Sequence, residues 1–247
     1  MKVINATRLI RKMRGAAQAH LLECDDGHFY AVKFRNNPQH HRILVNEWLA
    51  SSLLAYLRIS TPEIAVVNVC RGYLTSHPDV NIQLRNRLLS VEAGQHFGSR
   101  YPGNPAQAMV YDFLPDSLLH RINNLDEFLG VLVLDKWTGN ADARQAIFWR
   151  LRSGRPWSTF GGGHPHGFFA AMIDQGYAFG GPTWKFCDSP LQGLYFRPAV
   201  YQSVRSCDDF EPWLQKVVGL PEGQLRNLRS EIPPEWIAVM RLRWMRC

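Results

Sequence analysis

Long apolar runs are missing from this sequence. No stretch of about 18 or more uncharged apolar residues occurs, so a membrane-spanning helix is not expected. Cysteine is scarce and unpatterned: Cys24, Cys70, Cys187, Cys207 and Cys247 are odd in number and never in CxxC spacing. Neither a disulfide framework nor a thiolate zinc site is suggested, and buried or free thiols are expected. Repeats and low-complexity segments are absent. The opening MKVINATRLIRK has neither the apolar run nor the small-residue cleavage site of a secretory leader, so a cytoplasmic protein is expected. Lysine is rare, confined to Lys2, Lys12, Lys33, Lys136, Lys185 and Lys216. The net charge of +7 is therefore carried mostly by arginine and favours polyanions such as nucleotides, nucleic acid or acidic headgroups.

What is present suits one large domain or two small lobes: 247 residues, 46% of them hydrophobic. The first part reads as three antiparallel strands, Val3–Ile10, His20–Cys24 and His28–Phe34. A small-residue loop (Arg14 to Ala19) separates the first two, and an Asp25-Asp26-Gly27 turn joins the last two. Apolar residues from Ile43 to Leu57 recur at helical spacing and predict one helix over about Pro38 to Leu57. Ile64–Val69 and Gln107–Phe113 read as strands, and Arg71 to Pro105, rich in Arg, Asn, Gly and Pro, as mainly irregular surface. Leu125–Trp137 is an apolar helix with Asn123 or Asn124 placed to cap it. Ala146–Leu151 and Gly167–Ile173 follow as strands, with Arg152–His166 a loop between them, and helices are expected near Asp208–Val218, Glu222–Ile232 and Pro234–Trp244.

Four features carry chemistry. Lys33 ends the third strand under the small-residue loop, where a cation suits a phosphate contact, although alone it reads better as an edge-strand lysine facing solvent. Glu47 sits among apolar residues of the long helix, so its carboxylate lies near the buried face and calls for a cationic partner. Asp135, Asn140, Asp142 and Gln145 crowd the turn between a helix and a strand. There a carboxylate can approach a substrate hydroxyl and an amide oxygen can hold Mg²⁺; an Asx-rich capping loop is the plainer reading. Asp174-Gln175-Gly176 follows an apolar strand, the layout of a metal-binding Asp-x-Gly and also of an ordinary turn. The order of the features on their expected elements is more specific than any one of them. His164-Pro165-His166 and His40-His41 read as surface rather than as metal sites, and the basic, aromatic RLRWMRC end as a solvated helix terminus.

Asn140-Ala141-Asp142 after a helix ending Leu134-Asp135, together with Ile173-Asp174-Gln175-Gly176-Tyr177-Ala178-Phe179, resembles the HipA-like kinases and the related type II phosphatidylinositol 4-kinases. The likeness covers roughly Arg8 to Phe179. It implies an α+β, two-lobed protein-kinase-like fold: a small antiparallel β-sheet N-lobe with one long helix over 1–113, and a mainly helical C-lobe over 114–247. It also implies ATP and Mg²⁺ as cofactors. Asp142 would be the catalytic base, Asp174 the metal ligand, Lys33 the phosphate lysine and Glu47 its partner. Gly15, Ala16 and Ala17 would cover the phosphates, and the backbone of Tyr111, Asp112, Phe113 and Leu114 would hold adenine. Asp135 matches a structural position. The sequence departs from the family pattern where a second metal-binding asparagine belongs, at Ala146 or Ile147, leaving Gln145 as the substitute. It departs again in the arginine displaced to Arg144, and in a phosphate loop with one glycine.

These readings predict a kinase moving the γ-phosphate of ATP to a hydroxyl, with Ser/Thr of a partner protein the expected acceptor and a small molecule or lipid headgroup the other choices. The alternative is a nucleotide-binding pseudokinase or interaction module without turnover. Nucleic acid as a partner has only the charge in its favour.

Overall fold

The computed structural model describes residues 2–150 and 167–237. Its first half is a closed barrel with a long helix against it. Strands β1 (Val3–Lys12), β2 (His20–Cys24) and β3 (Phe29–Lys33) run antiparallel; helix α1 (Arg42–Leu57) follows, then β4 (Ile64–Val69). Helix α2 (Arg71–Ser76), a hairpin of β5 (Asn81–Leu84) and β6 (Arg87–Ser90), and β7 (Gly94–Arg100) come next. The sheet closes in the order β1-β2-β3-β7-β4, with β1 and β4 parallel. Period-two alternation fills the barrel with Leu22, Cys24, Tyr30, Val32, Ala65, Val67 and Val69.

Helix α1 begins at Arg42 rather than near Pro38, because the chain turns through residues 37–41 and His40 takes a positive φ of 136°. The segment expected to be irregular, 71–105, holds a helix and three strands, and β7 lies in the middle of the barrel between β3 and β4. The sequence GQHFGSR has a single large apolar residue, so its strand character comes from pairing on both edges. Gly98 is required there: a Cβ would lie 2.5 Å from the Val67 Cγ2.

The second half contains β8 (Val110–Tyr111), α3 (Asp116–Leu119), α4 (Glu127–Thr138), β9 (Gln145–Arg150), β10 (Phe168–Ile173), α5 (Glu211–Val218) and α6 (Glu222–Ser230). β8 is far shorter than Gln107–Phe113, being held only where it pairs with β9. The three strands form a sheet in the order β10-β9-β8. Asn124 does not cap α4. Its side-chain amide is bonded in both directions to the Ala170 backbone, at 2.9 Å each, tying the α4 entry to β10.

Helix α1 contributes to two cores. Leu44, Val45 and Trp48 pack with Val66, Phe97 and Trp236, whereas Leu53, Leu54 and Leu57 pack with Phe128, Leu134, Phe148 and Met172. Among the described residues no helix is long and apolar enough to cross a membrane. His164 to His166, Leu151, the Arg152–His166 loop, Cys247, the RLRWMRC end and the part of the last expected helix beyond Ile237 lie outside the described residues. His40 and His41 are partly buried rather than fully on the surface, with their rings 4.0 Å apart.

Candidate active site

Lys33 is the last residue of β3, opposite Phe97 of β7, and its ammonium joins two carboxylates. It is hydrogen-bonded to Glu47 of α1 and, at 2.5 Å, to Asp174 Oδ1 beyond β10. Glu47 is only 2% exposed. Burial alone would lower the Lys33 pKa, but the two carboxylates outweigh it and raise the group above its ordinary value. Glu47 is pushed up, because burial exceeds the pull of Lys33. Burial acts the same way on Asp174, but there the Lys33 ammonium prevails and holds the carboxyl below its ordinary value.

Asp174 takes a left-handed φ of 60°, which turns the chain directly after β10. The loop it opens presses against α1. A Cβ on Gly176 would sit 2.7 Å from Ile43 Cγ2 and 3.3 Å from Glu47 Oε1. Asn46, wholly buried, donates to the Gly176 carbonyl at 2.7 Å and to the Gly181 carbonyl, and accepts from Trp184 Nε1. Sequence reasoning missed Asn46; its signal was a second polar residue beside Glu47 on an otherwise apolar helix face.

The turn after α4 is built on a buried network. Asp135 receives Arg144 on both oxygens, at 2.8 Å from Nε to Oδ2, and Asn140 Nδ2 at 3.0 Å. Burial pushes the Asp135 carboxyl up, opposed by the Arg144 guanidinium. Arg144 also donates to the Ile173 carbonyl at 3.1 Å and to the Gln175 side chain. Asn140 Oδ1 accepts the Asp142 backbone N–H at 3.2 Å. Of the two amides in this turn, Asn140 is thus consumed internally and Gln145 is exposed. Asp142 is exposed as well, with Oδ1 accepting the Ala143 N–H at 2.8 Å.

One cavity of about 920 Å³ gathers most of the expected residues. Its wall includes Gly15, Ala16, Ala17, Lys33, Glu47, Asp112, Phe113, Asp142, Gln145 and Asp174. Tyr111 and Leu114 are not in that wall. Tyr111 packs edge-on against Phe168, and Leu114 is buried in the core with its carbonyl accepting Arg197 Nη2 at 2.7 Å. The loop over the cavity is braced: Met13 N–H donates to the Ala19 carbonyl, Gln18 N–H to the Gly15 carbonyl, and Asn37 to the Ala17 carbonyl. The Gln18 side chain is bonded in both directions to the Gln83 backbone of β5.

Among the described residues no group of three or more His, Cys, Asp or Glu side chains stands ready to hold a metal ion alone. Oxygen donors from Asp174 and Gln145 in one cavity wall do suit Mg²⁺, which takes one or two carboxylates and shares its remaining positions between water and phosphate.

A family model described as HipA-like kinase matches residues 6–148, more than half of the chain and nearly all of the elements that build this cavity. The chain belongs to the HipA-like kinase family. The match ends within β9, so Asp174 and its loop lie beyond it. No curated protein matches the chain. Among solved structures it is similar to the crystal structure of the Golgi casein kinase with Mn and ADP bound, at 9% identity and a TM-score of 0.46. That likeness covers 93% of this chain and 65% of the other.

Proposed function

We propose that this HipA-like kinase is an ATP- and Mg²⁺-dependent phosphotransferase that phosphorylates a hydroxyl, with Ser or Thr of a protein as the acceptor. The observation that carries the reading is the Lys33 bridge between Glu47 and Asp174, set in one wall with Asp142 and the 14–17 loop. Glu47 holds Lys33 for the α- and β-phosphates, the small-residue loop covers them, and of the 111–114 stretch the backbone of Asp112 and Phe113, which line the cavity, serves the adenine end. Asp174 and Gln145 would hold Mg²⁺, which when bound supplies charge neutralisation. Asp142 is exposed to the cavity and takes the proton from the acceptor hydroxyl. The acceptor oxygen bonds to the γ-phosphorus as the bond to the bridging oxygen of ADP breaks, so that positioning and charge do the catalytic work. We place the N-lobe at 1–113 and the C-lobe at 114–247, with the cavity between the elements of both. A cytoplasmic setting is supported by cysteines that are all unpaired among the described residues.

The second reading, a nucleotide-binding module without turnover, is favoured by Ala146 and Ile147: both are buried apolar residues where a second metal ligand would stand. Calorimetry with ATP and Mg²⁺, run beside γ-labelled ATP transfer for wild type, Asp142→Ala and Asp174→Ala, separates the two. Binding with transfer that vanishes in both variants supports the kinase. Binding without transfer in wild type, with several acceptors tried, supports the module. Absence of binding removes both.

A further inference from the structure

We propose that Arg14 is a ligand of the nucleotide's terminal phosphate, supplying from the loop the positive charge that a second metal ion would otherwise bring. The inference rests on the nucleotide-binding reading above. The lysine of the site is already committed, since Lys33 stands between two carboxylates and the three groups together carry a net negative charge. A triphosphate brings more negative charge than one divalent ion offsets. At the position of a second metal ligand the chain has buried Ala146 and Ile147.

The loop itself cannot compensate through its backbone alone. Gly15, at φ 116°, is the one glycine between Arg14 and Ala19, so Cβ atoms on Ala16 and Ala17 limit how closely their N–H groups approach an anion. Other cations in the cavity wall are engaged. Lys12 donates to Asn81 at 2.7 Å, and Arg100, Arg144 and Arg197 are paired with Glu63, Asp135 and Asp116. Arg11 and Arg14 line the same wall and have neither an acidic partner nor, as Lys12 has, a side-chain amide partner among the described residues. Arg11 sits within β1 opposite Leu21, at the barrel edge, whereas Arg14 begins the loop tip beyond the last β1–β2 pair. The tip is held by the Gln18–Gln83 bonds and by Asn37, so Arg14 extends from a fixed support. A guanidinium there has the fork geometry that phosphate oxygens accept in pairs.

The test is calorimetry on the full chain with Mg²⁺, using ADP and the non-hydrolysable imido analogue of ATP. Arg14→Ala should weaken the triphosphate analogue about tenfold while leaving ADP within about twofold. Arg14→Lys should recover part of the loss, and Arg229→Ala, an exposed charge removal on α6, should change neither. Equal weakening of both nucleotides by Arg14→Ala, or no change in either, overturns the assignment while leaving nucleotide binding intact. If wild type binds neither nucleotide, the nucleotide reading itself fails and takes the assignment with it.

Discussion

Arg144 and Gln175 are joined by a buried hydrogen bond that ties the turn after α4 to the turn after β10. The same guanidinium covers both oxygens of Asp135 and reaches the Ile173 carbonyl, one residue before Asp174. The exposed Asp142 and Asp174, both in the cavity wall, are thereby fixed relative to one another through Arg144.

Arg144→Ala should therefore be costly both in stability and in phosphate transfer. It leaves Asp135 buried and unpaired, which destabilises the fold by about 3–5 kcal/mol in urea unfolding. The double variant Asp135→Asn with Arg144→Met, which removes both charges, should regain part of that stability without restoring phosphate transfer.

Gly176→Ala tests the close approach of the Asp174 loop to α1. The added methyl meets Ile43 and Glu47, so the helix or the loop must shift. A loss of about 1–3 kcal/mol is expected, with a drop in nucleotide affinity larger than for a substitution of equal destabilisation far from the cavity. Equal affinity in the two variants would show that the Lys33–Glu47 geometry tolerates the shift.

Much of this site could be read in the sequence because its parts are local. A polar residue at the end of an apolar strand, as with Lys33 and Asp174, or within an apolar helix, as with Glu47, stands out against its own neighbours. The barrel did not stand out in the same way. β7 carries His96, Gly98 and Ser99, and its place is fixed by two strands distant in sequence and by the space Val67 leaves at Gly98. Hairpin β5–β6 likewise gains its meaning from Gln83, which holds a loop 65 residues earlier. Arg144 was legible only as a displaced family arginine; its bond to Gln175 depends on how two turns meet.

The buried His96 makes stability depend on acid. Burial, aided by the nearby Arg35 charge, depresses its pKa from 6.5 to about 3. The ring stays neutral, accepting the Arg35 N–H at Nδ1 and donating from Nε2 to the Glu92 carbonyl. The unfolded chain binds this proton more readily than the folded one, so stability is full above about 6.5 and is lost as pH falls from there toward about 3. Thermal unfolding followed across that window should show a slope that flattens in His96→Gln, whose amide can make both bonds. The residual slope belongs partly to His20, which burial also lowers.

Gln18→Ala removes the brace between the 14–19 loop and β5. Half-buried and away from the cores, it should cost about 1 kcal/mol of global stability. Hydrogen exchange of the 14–19 amides should nevertheless quicken, and nucleotide affinity should fall. Unchanged exchange would mean that Asn37 and the loop's own backbone bonds suffice to hold it.

Helix α1 gives Leu44 and Trp48 to one core and Leu54 and Leu57 to another. Severing the chain near residue 113 would strip the Leu53–Leu57 side of its cover and bare an oily strip on the fragment that keeps the helix. Halves produced separately are therefore expected to clump or to need each other, and the intact chain to melt in one step, with the lysine-bearing barrel and the aspartate-bearing sheet lost together.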